Sequence, residues 1–193
     1  MDKIKTAYEK AMERLSRLNL DEVNLDGVEY IPQGNAAAAR FLEEKDFDLL
    51  AVLNSYGEDV RGYVRKGMED TFIRNIQLPK DEATQENNKR AMEGLLAIKE
   101  NKGALRQVFR ELEYLFQYYA QAFEHNYANL KESFAARMAP AQKALEQQLG
   151  AKLKVNVERH PAFLEEWLRL QQQLDAQYEA ILEEQKEKIR RTN

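Results

Sequence analysis

The chain has 193 residues, 44% of them hydrophobic and 32% charged, with a formal net charge of -4 and no cysteine. That length and apolar fraction suffice for a real core, and the missing thiols exclude disulfides, thiolate metal sites and cysteine nucleophiles together. Acids and bases are interspersed, so no basic field favours nucleic acid or an anionic membrane, and no run approaches the ~18 apolar residues of a membrane span.

The opening Met1-Asp2-Lys3-Ile4-Lys5 leads into charged helix without the apolar core of a secretory signal, which gives a cytoplasmic location as the expectation. Residues 2–18 read as a first helix with Ile4, Tyr8, Ala11, Met12, Leu15 and Leu18 on one face. Asp26-Gly27, between the alternating residues of Val23 to Tyr30, signals either a hairpin or an irregular wrapping loop. The loop is favoured, because an isolated two-stranded hairpin is marginal. Pro32 and Gly34 are expected to end this segment, and Asn35 to cap a helix running from the Ala36–Ala39 run to about Lys45.

Asp46 or Asp48 restarts helix through Leu53 to a break at Gly57. Val60, Tyr63, Val64, Met68, Phe72, Ile73 and Ile76 then keep a helical step until Leu78-Pro79. Gly62 and Gly67 weaken that helix by roughly 1 kcal/mol each relative to alanine, and close packing against a neighbour is the expected reason for them. Asp81 or Thr84 caps the next helix, whose buried side is Ala91, Gly94, Leu95 and Ile98. At Asn101-Lys102-Gly103 a turn and a continuous helix are equally compatible with the sequence, since the apolar phase carries across and one glycine costs too little to decide.

The dominant feature is the stretch from Gly103 to Gly150. Phe109, Leu112, Phe116, Tyr119, Phe123, Tyr127, Leu130, Phe134, Met138, Ala141, Leu145 and Leu149 follow one another at spacings of three or four, the period of one long amphipathic helix. At about 1.5 Å per residue it would run roughly 70 Å. Its first half carries a second stripe and suits a multi-helix core; beyond Tyr127 the stripe narrows to a seam suited to one partner helix, with a kink expected at Pro140. Lys152 to Val157 alternates with period two and reads as a short strand, which needs an edge to pair with, in its own chain or in a second one. His160-Pro161 opens a last helix striped by Phe163, Trp167, Leu170, Leu174 and Tyr178. If it folds back with Leu149 opposite Pro161, Trp167 falls near Ala141 and Leu145, and Tyr178 near Leu130.

The order of Tyr30-Ile31-Pro32-Gln33-Gly34, Ala39-Arg40-Phe41-Leu42, Ile76-Gln77-Leu78-Pro79 and Glu93-Gly94 resembles an uncharacterised bacterial helical family, a domain of unknown function. The resemblance implies an all-α protein and supplies no activity, cofactor or site residue.

The residues themselves offer little chemistry. His125 and His160 lie outside any Glu-x-x-His or His-x-x-x-His spacing, so no metal site is expected, and no phosphate-binding glycine loop or nucleophile elbow is present. Acid pairs such as Glu43-Glu44 and Glu183-Glu184 read as solvated helix surface, so no catalytic residue and no cofactor are assigned.

The sequence therefore predicts an all-α fold: a helical bundle over residues 1–127 and an antiparallel, coiled-coil-like hairpin arm over 128–193 packing back on it, with at most one or two short strands. The expected function is a non-enzymatic interaction or scaffold protein that self-associates, a dimer being the simplest form, or holds another protein. Phe134, Leu145, Trp167 and Tyr178 are the expected hairpin or partner contacts. The alternative is a small-molecule-binding helical domain, enzymatic or not, that uses the aromatic stretch 109–134, with Tyr114, Tyr118 and Tyr119 as candidate pocket residues.

Overall fold

The computed structural model describes residues 25–152 and 155–193. The expected first helix over residues 2–18 lies outside them. Among the described residues there are six α-helices and no strand, which makes the protein all-α. Two compact units divide at Thr71 and Phe72. The division expected at residues 127/128 does not coincide with this one, and the long helix runs unbroken through that point.

The first unit contains α1 (Leu25–Glu43), α2 (Leu49–Asn54) and most of α3 (Glu58–Asn75). Asp26-Gly27 forms neither hairpin nor loop, Pro32 and Gly34 do not end the segment, and Asn35 is no cap; all lie inside α1. Gly27, Gly34, Ala38 and Phe41 are buried and Ile31 half-buried, a helical spacing that passes straight through the proline. Pro32 withholds only its own backbone donor, whereas the packed face gains along its whole length. That face depends on two glycines. A Cβ on Gly34 would stand 2.0 Å from the carbonyl oxygen of Val64, and one on Gly67 would stand 2.1 Å from that of Ile31. The backbones of α1 and α3 therefore touch, an approach that recurs where Cα–H groups point at carbonyls. The side chain of Asn35 accepts from the Thr71 hydroxyl at 3.0 Å across the same contact. Gly67 thus has the close-packing role expected of it, while a Cβ on Gly62 would meet nothing within 4 Å. Asp48 caps α2 by accepting from Ala51 N.

In the second unit a non-helical stretch, Ile76 to Lys80, precedes α4 (Glu82–Ile98), which Asp81 caps by accepting from Thr84 N. Asn88, only 2% exposed, holds that stretch: its amide accepts from Gln77 N at 2.9 Å and donates to Gln77 O at 2.7 Å. Phe72 fills the space that a Cβ on Gly94 would occupy, its ring atoms 2.4–2.7 Å away. The question at Asn101 resolves as a turn: Lys99 is extended, and Asn101 caps the next helix through Ala104 N. That helix, α5 (Lys102–Leu149), has 48 residues, contains Pro140, and ends at Gly150, whose φ of 64° is the left-handed conformation glycine adopts without strain. A short 3-10 turn, Val157–Arg159, then leads into α6 (Pro161–Arg191), capped by His160. The strand expected over Lys152 to Val157 is absent among the described residues, and the sheet edge it required goes with it; Leu153 and Lys154 lie outside them. The last residues of α6 return to the start of α5, where Asn101 N–H donates to Asn193 O at 2.6 Å and Lys99 Nζ donates to Thr192 O.

Candidate functional site

α5 and α6 form the antiparallel pair that the narrow stripe predicts, but in a different register. Trp167 stacks edge-on against Phe123 and Tyr127, with ring centroids 4.9 and 5.0 Å away, rather than lying near Ala141 and Leu145. Tyr178 meets Tyr119 at 5.4 Å, not Leu130. Phe163 meets Tyr127 and Phe134 at 5.8 and 5.6 Å, and His160 lies 5.2 Å from Phe134. The reason is the content of the last turns of α5. Ala135, Ala136, Ala139, Ala141 and Ala144 offer nothing large to set against Trp167, whereas each edge-to-face aromatic pair contributes about 0.5–1.5 kcal/mol beyond its buried area. The register follows the rings, and α6 begins opposite Phe134 instead of Leu149.

A buried hydroxyl sits in this seam. Tyr119, 1% exposed, donates its hydroxyl to Asp175 Oδ1 at 2.7 Å, and Lys80 reaches Asp175 Oδ2 at 2.6 Å. The clasp ties the non-helical stretch before α4 to α6. Burial, and then the bond to Asp175, push the Tyr119 phenol well above its usual value. A raised phenol contributes stability that is complete below the ordinary pKa near 10 and is lost as pH climbs through the folded-state value. Tyr119→Phe is therefore expected to cost about 1–2 kcal/mol at pH 7, since Asp175 loses a donor. It should also flatten the loss of stability above pH 10. Denaturant titrations from pH 7 to 11 measure both effects; equal slopes in the two proteins would count against this role.

Beyond Phe134 the helix α5 continues with no facing helix among the described residues. Met138, Gln142 and Glu146 are half-buried, while Ala141 is exposed and Leu145 and Leu149 are 46% and 59% exposed. Val155 in the connection, and Leu164 and Leu168 on α6, are also exposed, at 40%, 52% and 55%. At the root of this overhang Arg137 pairs with Glu166 at 2.6 Å, and Glu158 accepts from Lys131 at 2.7 Å and from Tyr127 at 3.0 Å. Those two donors, Lys131 first, hold the Glu158 carboxyl below its usual range. Being exposed, the pairs fix geometry more than they stabilise. Of the four expected contacts, then, Phe134 is buried in the hairpin, Trp167 and Tyr178 are half-buried in it, and Leu145 stands outside it on the overhang.

The candidate pocket tyrosines do not converge. Tyr114 and Tyr118 are 61% and 63% exposed, and Tyr119 is buried with its hydroxyl engaged. A groove of about 350 Å³ does border this stretch, floored by Pro79, Met92, Phe116 and Ala120, with Lys89 and Glu113 at its rim. Sequence reasoning missed Asp175 and Lys80; the available signal was a single acid, Asp175, beside Leu174 within an apolar stripe. Among the described residues no group of three or more histidines and carboxylates is placed to hold a metal, and no helix is long and apolar enough to cross a membrane.

No curated protein and no solved structure matches the chain. The model of the family of unknown function DUF6657 matches residues 50–191, well over half the sequence and including Ile76-Gln77-Leu78-Pro79 and Glu93-Gly94, and the chain belongs to that family.

Proposed function

We propose that the protein is a non-enzymatic helical scaffold that self-associates through the overhang of α5, from Ala135 to Leu149. The observation that carries this reading is the offset register: a seam of Ala141, Leu145 and Leu149 is left exposed beyond the start of α6. A second copy is the occupant that fits best. Two overhangs of equal length, laid antiparallel, each fill the lane that the other's α6 leaves empty, an isologous two-fold contact in the manner of a short coiled coil. Small side chains at Ala141 and Ala144 permit close approach. A cytoplasmic location belongs to the same reading and is compatible with the absence of cysteine.

The test is sedimentation equilibrium of the wild type beside the double variant Leu145→Asp/Leu149→Asp. Each leucine buried is worth about 1.5–3 kcal/mol, so the variant should dimerise at least roughly a hundredfold more weakly, with the thermal midpoint unchanged at dilutions where both proteins are monomeric. A wild type that stays monomeric up to high concentration, or a variant that dimerises equally well, would overturn the proposal. The second reading, a small-molecule-binding domain, rests on the groove floored by Met92 and Phe116; the exposed Tyr114 and Tyr118 give it no further support.

A further inference from the structure

The groove of about 350 Å³ in the second unit runs between two helices: Gln85, Lys89 and Met92 of α4 line one wall, and Glu113, Phe116 and Gln117 of α5 line the other. On each wall these residues share one helical face. We propose that this groove binds a free aromatic α-amino acid, its ring lying on Phe116, its carboxylate at Lys89 and its ammonium at Glu113. The proposal rests on the small-molecule reading of the groove and is independent of self-association through α5.

Three observations favour that ligand. The first is the ring. Along the stripe of α5, Tyr119, Phe123, Tyr127 and Phe134 each pack against another ring, whereas the half-buried Phe116 meets none among the described residues. A bound ring supplies the edge-to-face or offset partner that the other four already have. The second is charge. The walls carry opposite signs, and neither charge is firmly engaged: Lys89 stands 4.0 Å from Glu86 with both side chains well exposed, and Glu113 has no ion pair among the described residues. A simple anion or cation would be drawn to one wall and repelled by the other, while a zwitterion matches both. The third is Asn88, which borders the groove at 2% exposure. Its amide uses one N–H and one oxygen lone pair on the backbone of Gln77 and keeps one of each for a polar head that both donates and accepts. The volume, near the lower end for small-ligand sites, suits one ring system on a short stem.

Calorimetric titration of the full chain with L-phenylalanine and L-tryptophan tests this. Binding is expected with a dissociation constant of about 1 mM or below, an ordinary affinity for so small a ligand in an open groove. 3-Phenylpropionate, which lacks the ammonium, phenethylamine, which lacks the carboxylate, and L-leucine, which lacks the ring, should each bind at least about fivefold more weakly than L-phenylalanine. Lys89→Met should erase the preference for phenylalanine over phenethylamine and keep that over 3-phenylpropionate, and Glu113→Gln should do the reverse. Both side chains are exposed, so neither substitution should move the thermal midpoint of the free protein. Equal affinity for all these compounds, or variants that leave the preferences as they were, would overturn the inference and leave the small-molecule reading standing. No binding by any of them up to roughly 10 mM would remove the groove as a site for small aromatic molecules, and the inference with it.

Discussion

Phe163→Ala is expected to lower the unfolding free energy by about 3–5 kcal/mol, the usual result of removing a fully enclosed aromatic ring. Phe163 is 1% exposed and is the first large side chain of α6. Its ring contacts those of Tyr127 and Phe134, and so closes the entrance to the hairpin just where the overhang begins. The loss has two parts: transfer of the ring to water, and a cavity that neighbouring tyrosine and phenylalanine, held in edge-to-face contacts of their own, cannot collapse to fill. Urea titration followed by the fluorescence of Trp167, the single tryptophan, reports on the same seam because that indole lies against Tyr127. A cost under about 1 kcal/mol would mean that the ring register does not hold α6 in place.

Gly67→Ala is expected to cost about 3 kcal/mol, at the upper end for overpacking by one methyl group, because the new Cβ would lie 2.1 Å from the Ile31 carbonyl oxygen. The obstacle is backbone rather than a flexible side chain, so relief requires α1 and α3 to move apart. Gly34→Ala meets the Val64 carbonyl in the same way from the other helix. Gly62→Ala is the matched control: it lies in the same helix with nothing within 4 Å, and should stabilise by up to about 1 kcal/mol through helix propensity alone. Opposite signs for two identical substitutions five residues apart, read by thermal or urea unfolding, are the signature of a backbone crossing. The same sign for both would deny it.

Elements governed by local chemistry were legible in the sequence. Of the paired cap candidates, Asp48 rather than Asp46 and Asp81 rather than Thr84 cap their helices, His160-Pro161 opens α6, and the spacing from Phe109 to Leu149 identifies α5 along its length. These signals are self-contained, since a cap bonds within its own turn and a stripe is a property of one helix. What was not legible depends on partners. Asp26-Gly27 and Pro32 carry turn preferences that the glycine contact with α3 outweighs, and that contact cannot be seen from α1 alone. Lys152 to Val157 alternates as a strand would, but a strand without a second one has nowhere to place its backbone bonds; instead, Asn156 begins a short turn by accepting from Glu158 N.

The hairpin register was missed for a related reason. Periodicity alone implies the tightest connection after Leu149, whereas pairing of the rings displaces α6 toward Phe123 and Tyr127. From Leu149 back to the level of Phe134 is about 22 Å of helix, and the ten residues from Ala151 to His160 reach about 33 Å when extended, so the longer return is sterically easy. The candidate contacts were legible as types but not as partners. Phe134, Trp167 and Tyr178 serve the hairpin, and Leu145, expected beside Trp167, is left exposed on the overhang. The exposed surface on which the proposed function rests is thus a product of the register.

The most direct measurement is a pulsed electron-paramagnetic-resonance distance between two copies of the chain, each carrying one nitroxide on an exposed side chain of α5. Antiparallel overlap of the overhangs places the two-fold axis near Gln142. Lys143→Cys labels should therefore lie roughly 10–20 Å apart, one interhelical spacing plus their tethers. Labels at Gln121→Cys, some 21 residues from the axis, should be about 60 Å apart. A short distance at Gln121 with a long one at Lys143, or no dipolar coupling at Lys143 at concentrations where the chain is a dimer, would contradict self-association through the free end of α5.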